Sequence, residues 1–507
     1  MKLFSLRLTT LKSKLYAIVF ASFLVRVIIF FMLPRSPSNL APDESQYAEF
    51  TTIVARGLPV DESAFGLGFY KISRAFILPA SLLSRIGLNG LDSVRIISSL
   101  YGLLTVVLAV SVLLKLSTSN QGVSKFIANN SKTVLMLVTI FTFLPSHLFW
   151  SILGLRESAT EFWVILNFAI VFYIFSIKKE VSIKSAISTA IAIPLVFVVR
   201  PQVGWVLGAT LLTFYFFKIK VKHAQILIPI TIIGLLMGYL VSTVFNVSKT
   251  EIFTARIEVV ESKSSSKPTD TSTQTTKVTT KPSKTNQATA TSSPTATSSP
   301  TATTSSEYDA SLLCRSVGQE VIIRSDKFRC TSKVEKKIDV ELKNIGAVVL
   351  DRIDTIPRQQ EVNQIDAASV IEIQACPNSG DSRFDKYFCI AYRAPYSTFT
   401  FLFRPILGAD VTSTSSLFGA IENIFWFAAL FYVIIMFIRN RRLAFFGALA
   451  PPLLFFSLYS IGAGAYEGNM GSAFRHKSLI AWVVILLLAS TIVATKERKD
   501  ENRELIN

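Results

Sequence analysis

Long apolar runs recur along the chain, at 15–33, 94–114, 133–152, 160–177, 185–199, 203–217, 225–245, 418–438, 443–465 and 478–494. About 20 apolar residues in a helix cover the ~30 Å hydrocarbon core of a bilayer, so each run reads as a transmembrane helix. The run at 185–199 is the shortest case and carries Pro194. The first run reads as a span rather than a cleaved signal peptide, because it is long, lacks a small-residue cleavage site and is followed by further spans.

The polar connections alternate in charge. Basic groups come before the first run (Lys2, Arg7, Lys12, Lys14), after the second (Lys115, Lys125, Lys132) and after the fourth (Lys178, Lys179, Lys184). They return at Lys218, Lys220 and Lys222, at Arg439, Arg441 and Arg442, and at Lys496, Arg498, Lys499 and Arg503. Every second connection is basic, as cytoplasmic loops are. The pattern predicts a multi-pass plasma-membrane protein with both termini in the cytoplasm. The fold class expected is mainly α: a polytopic bundle of about ten transmembrane helices, with a disulfide-containing extracytoplasmic α+β domain inserted before the last three.

The expected organisation is an N-terminal membrane domain at 1–245 with an outer loop at 34–93, and an extracytoplasmic linker at 246–306. A Cys-containing outer domain follows at 307–416, then C-terminal membrane helices at 417–495 and a cytoplasmic tail at 496–507. Phe69 to Ile86 is apolar but holds Lys71, Arg74 and Arg85. Burying those charges in a span would cost several kcal/mol each, so an amphipathic helix on the outer surface is expected. Residues 262–306 are almost all Ser, Thr, Pro, Lys and Ala, with the repeat TATSSP, a composition that cannot bury a core. Cys314, Cys330, Cys376 and Cys389 read as two disulfides on an oxidising face. Three connectivities are open, and local pairing (Cys314–Cys330, Cys376–Cys389) closes the shortest loops. Zinc is disfavoured, since no CxxC spacing or nearby histidine accompanies them.

Composition then changes one conclusion. Half of the 507 residues are hydrophobic, mean hydropathy is +0.46 and 17% are charged, which excludes a disordered chain and disfavours a single soluble enzyme. The net charge of +18 would suggest nucleic acid in a soluble protein. Here it falls mostly in the proposed cytoplasmic segments and is a topology signal, so no nucleic-acid partner is expected.

The conspicuous polar residues sit in the outer connections. Asp43-Glu44 follows the first helix, and carboxylates above a membrane cavity suit a general base or a metal ligand; the plainer reading is a helix cap. Arg26 lies inside the first span, where a functional or paired role competes with snorkelling to the interface. Arg95, Arg200-Pro201 and Arg156-Glu157 fall on the same side, and a guanidinium fork suits phosphate. The last outer loop, GAYEGNMGSAFRHKS, ends in Arg475, His476 and Lys477, a basic cluster against the topological bias and a candidate phosphate contact. Arg404-Pro405 and Glu422 flank the eighth span as weaker candidates. Asn246-Val247-Ser248 matches a glycosylation acceptor. No P-loop, dinucleotide fingerprint, GxSxG or HExxH occurs, which disfavours an ATP-driven pump or a membrane zinc protease.

The stretch LVRVIIFFMLPRSPSNLAPDESQYAEFTTIVARGLP resembles the start of GT-C glycosyltransferases, nearest to aminoarabinose transferase and the protein mannosyltransferases. VRIISSLYGLLTVVLAVSVLL and PSHLFWSILGLRESATEF also look like this class, and RPQ fits more loosely; the likeness covers most of 15–217. FRPILGAD, IENIFW and GNMGSAFRHKS resemble segments of uncharacterised bacterial envelope-glycan membrane proteins. The resemblance implies a polyprenyl-phosphate-linked sugar donor, a cell-envelope glycan, lipid or protein acceptor on the outer face, and an inverting transfer. The catalytic acid maps onto Asp43, with Glu44 beside it, and phosphate contacts onto Arg26, Arg95, Arg200, Arg475, His476 and Lys477. A divalent cation is the one cofactor candidate, and membrane lipids are expected partners. The Ser/Thr-rich stalk and Cys-bearing domain depart from the family pattern. The C-terminal half also resembles O-antigen ligases and polymerases, which would act through Arg475 and His476. A transporter or a surface-display protein is the reading from a different class, although no internal symmetry is evident and a display protein needs one span.

Overall fold

The computed structural model describes residues 2–36, 43–58, 67–119, 127–174, 183–218, 221–247, 320–324, 327–331, 383–411, 414–439, 446–467 and 470–506. The Ser/Thr-rich linker and most of the Cys-containing segment, with Cys314 and Cys376, lie outside these residues.

The described chain is helical apart from one hairpin. Its helices are α1 (Lys2–Met32), α2 (Asp43–Ala55), α3 (Leu67–Arg85), α4 (Gly90–Ser119), α5 (Ser131–Phe143), α6 (Pro145–Ile152), α7 (Glu157–Phe172), α8 (Ile183–Val199), α9 (Pro201–Lys218) and α10 (Val221–Val247). After strands β1 (Glu320–Arg324) and β2 (Lys327–Thr331) come α11 (Arg383–Phe403), α12 (Thr414–Arg439), α13 (Phe446–Tyr466) and α14 (Met470–Ile506). The chain forms two compact units, one of 1–246 with 334–507 and one of 247–333. In the second, β1 and β2 pair antiparallel, with Val321 opposite Cys330.

Among the described residues, six helices are long and apolar enough to cross a membrane, with spans at Thr10–Met32, Gly90–Lys115, His223–Leu240, Ser416–Met436, Leu449–Tyr466 and Gly471–Ala489. The protein is a helical, multi-pass membrane protein. The run at 133–152, expected as one continuous helix, is instead broken into α5 and α6 at a 42° bend, and counts as a seventh span only if taken as one. Pro145 causes the break: it occupies the first position of α6, lacks an N–H, and holds Leu144 extended (φ −58°, ψ 128°). The runs at 185–199 and 203–217 form apolar helices shorter than a full span, separated at Arg200-Pro201.

Up to Arg85, the Phe69–Ile86 segment lies in α3, an amphipathic helix that is not among the spans, as the charges predict. Its Phe76, Ile77 and Ala80 pack with Tyr47 and Phe50 of α2, Val94 of α4, Trp150 of α6 and Phe474 of α14. This small core lies beside the charged groups described next and sets the spacing of the helices that carry them. The larger core joins α7, α8, α9, α11, α13 and α14 through residues such as Phe168, Phe197, Leu207, Phe401, Phe455 and Trp482. Residues 383–411, expected within the Cys-containing segment, thus belong to the same compact unit as the membrane helices.

Candidate functional site

Glu157 opens α7 and is the hub of a charged cluster built from elements far apart in sequence. Its Oε1 accepts from Arg200 Nη1 at 3.3 Å and lies 3.2 Å from Arg475 Nε and 4.0 Å from His476 Nε2. Arg475 Nη1 also donates to Asp43 Oδ2 at 2.8 Å, joining the first turn of α2 to α14 across 432 positions. Glu157 is buried, and its Oε2 finds no hydrogen-bond partner among the described residues. Burial opposes ionisation of Glu157, but Arg475, Arg200, His476 and Arg156 outweigh it and hold its pKa down to about 2. Asp43 is the accessible acid of the group, its side chain 30% exposed. Burial also pushes the Tyr47 phenol up to about 12, so it stays protonated beside the cluster.

His476 bridges Arg200 and Glu467. A guanidinium only donates and a carboxylate only accepts, so Nε2, facing Arg200 Nη2, must be the bare nitrogen, and Nδ1 carries the hydrogen given to Glu467. The same arrangement occurs at a second place. Arg26 Nη2 donates to His147 Nε2 at 3.1 Å, and His147 Nδ1 donates to Glu161 at 2.9 Å. Arg26 also bonds Ser22 and Ser151, and all three members of this chain are buried. Arg26 therefore neither snorkels nor joins the Glu157 cluster. It ties α1 to α6 and α7.

Two other expected site residues satisfy each other. Arg95 binds Glu44 through a fork (Nε–Oε1 2.7 Å, Nη2–Oε2 2.9 Å), and donates as well to the carbonyls of Pro34 (2.7 Å) and Ser36 (3.2 Å). Glu44 Oε1 accepts in addition from the Gly154 amide at 2.9 Å. The pair is buried and anchors the segment after α1 to α2, α4 and the turn before α7. Glu44 and Arg95 are committed to this joint rather than to the cluster that holds Asp43.

Lys477, next to His476 in sequence, faces elsewhere. Its Nζ donates to Arg404 O and to Asn423 Oδ1, each at 2.7 Å. Glu422 accepts from the Ser146 amide (2.6 Å) and Trp426 Nε1 (2.9 Å). Arg404 forks onto Asp410 at 2.9 and 2.7 Å across a cis peptide to Pro405. Cys330 lies on β2 and Cys389 on α11, where it is disulfide-bonded. No three His, Cys, Asp or Glu side chains converge as metal ligands among the described residues.

Of the expected residues, Asp43, Arg200, Arg475 and His476 thus come together, while Arg26, Glu44, Arg95 and Lys477 hold the frame. The sequence marks Glu157 only as the neighbour of Arg156 and not as a hub, and it does not mark Glu467 or the His147–Glu161 pair. The available signal was Glu157 and Glu161, spaced i, i+4 at the start of an apolar run and so on one helix face. No family model, no curated protein and no solved structure matches this chain.

Proposed function

We propose that this protein is an integral-membrane glycosyltransferase that moves a sugar from a polyprenyl-phosphate carrier to a cell-envelope acceptor on the outer face. The reading includes about ten membrane crossings with both termini in the cytoplasm, and two disulfides in the outer segment. The observation that carries it is the Asp43–Arg475 contact, which joins an accessible carboxylate to a guanidinium that shares its other partner, Glu157, with Arg200. In the proposed step Asp43 takes the proton of the acceptor hydroxyl as that oxygen attacks the anomeric carbon. The bond from that carbon to the phosphate oxygen breaks, and the phosphate leaves with the electron pair, its charge met by Arg475 and Arg200. Arg475 is shared between Asp43 and Glu157, so a bound phosphate competes for it and frees Asp43 to act as base.

Asp43→Asn is expected to lower transfer by roughly 10²–10⁴-fold, the usual worth of a positioned base, with unchanged yield in the membrane. Full activity in that variant overturns the assignment. The presence of His476 in the cluster supports a second reading, a ligase or polymerase acting through Arg475 and His476. That reading requires Arg200 to leave His476 Nε2 first. It predicts that Asp43→Asn is tolerated while Arg475→Ala and His476→Ala are not.

A further inference from the structure

Helix α11 packs antiparallel along α13: Ser397 meets Gly464 and, further on, Phe401 meets Tyr459. The approach at Gly464 is backbone to backbone, since a Cβ there would sit 2.7 Å from Ser397 O. Consecutive spans alternate in direction, so the start of α12, the end of α13 and the start of α14 share one end of the bundle. Relative to that end, the turn after α11 is deep. Asn423, which donates to Phe403 O (3.1 Å) and Pro405 O (2.7 Å), lies seven residues inside the span beginning at Ser416. Lys477, which donates to Arg404 O, lies six residues inside the span beginning at Gly471. Tyr459, beside Phe401, lies seven residues inside the span ending at Tyr466. At 1.5 Å per residue the three helices agree on a depth of about 9–11 Å.

Irregular backbone at such depth is tolerated only when its polar groups are satisfied by protein. Here the carbonyls of 403, 404 and 405 accept from Asn423 and Lys477, and the amide of Ile406 donates to Asp410, which Arg404 neutralises. The opposite face of the element is apolar and, among the described residues, exposed. Phe388, Tyr392, Tyr396 and Phe399 form an exposed stripe at helical spacing, with Tyr392 78% exposed, and Leu407 in the turn is 51% exposed. Phe399 and Phe403 pack on Phe427 of α12 (centroids 6.3 and 4.1 Å), which carries the stripe onto the exposed apolar face of Phe431 and Ile434.

We infer that residues 383–411 are a re-entrant element of the membrane domain: α11 descends from the interface beside α13, turns at Arg404–Pro405 inside the apolar layer, and presents its aromatic stripe to lipid. The partner of this surface is the bilayer. Tyr392 and Tyr396 sit about level with or just beyond the end of α13, where amphipathic rings partition to the headgroup region, and Phe399 and Leu407 lie in the acyl layer. The inference stands on the membrane class of the protein and not on any reaction.

The test places p-benzoylphenylalanine at Tyr392, Phe399 or Leu407 of the full chain, with Phe431 as a span control. Each monodisperse variant is reconstituted in phosphatidylethanolamine/phosphatidylglycerol vesicles, irradiated and analysed by mass spectrometry. Phospholipid adducts at Phe399 and Leu407, at a yield within about threefold of Phe431, are expected. Adducts at Phe431 with none at Phe399 and Leu407 overturn the inference. Cross-linked dimers in place of lipid adducts also overturn it, because a second copy then covers the stripe.

Discussion

At the scale of single residues, Glu157 shows how charge is managed inside this bundle. Its carboxylate is buried among arginines, so Glu157→Gln leaves Arg475 and Arg200 without their shared partner. Breaking a buried pair costs about 3–5 kcal/mol, and thermal unfolding in detergent should register a loss of that order. The pH dependence has a definite sign. The carboxyl is held at about 2 when folded against an ordinary value of 4.5, so its contribution is complete above about pH 4.5 and disappears as pH falls toward 2. The gap in unfolding temperature between wild type and Glu157→Gln should be equal at pH 8 and pH 5.5, and narrow below pH 4. A gap that instead shrinks between pH 8 and 5.5 would contradict the ion-pair account. Asp43, at 30% exposure, should tolerate Asp43→Asn with far less loss of stability, which is why its effect on transfer is interpretable.

At the scale of elements, breaks rather than helices decide where chemistry can sit. The sequence made the helices legible, because apolar runs and basic connections mark them. Pro145 and Pro201 each start a helix after a break, and these breaks place Glu422's contact at Ser146 and the Arg200 side chain in the interior. The α11–α13 contact has little tolerance, since a Cβ at Gly464 would sit 2.7 Å from Ser397 O. Gly464→Val should lose about 1–3 kcal/mol through overpacking against Ser397, measured by thermal unfolding, because backbone on both sides cannot yield. Gly462, one turn-fraction away, meets nothing within 4 Å and serves as the control: Gly462→Ala should unfold close to wild type. Helix α11 was not legible as part of the membrane unit, since its hydropathy is moderate and its charges and Cys389 match an outer domain. Packing against α13 and α12 decides its place.

For the whole molecule, the division into two units gives a direct expectation. Deleting 262–333 removes most of the second unit and should leave a monodisperse membrane protein whose unfolding temperature stays within a few degrees of wild type. Extending the deletion through Phe403 removes α11 and strips Lys477 and Asn423 of their partners, and should destabilise the remainder strongly. Equal stability of the two deletions would contradict the packing of α11. Retained sugar transfer in the shorter deletion would support an enzyme over a display protein.

The sequence by itself determined that this is a multi-pass helical membrane protein, because apolar length and the alternation of basic loops are local properties that need no contacts. It also determined that unusual charges gather in the non-basic connections, among them Asp43, Arg200 and Arg475. Only the tertiary structure decided which of those charges meet. Asp43 and Arg475 are 432 positions apart, and their contact depends on how α2 and α14 are spaced by the core of Phe76, Trp150 and Phe474. Neighbours in sequence part company for the same reason: Asp43 and Glu44, or His476 and Lys477, lie about 100° apart around a helix and face different partners. A run of residues states which charges are available, and the packing of helices selects which of them share a site.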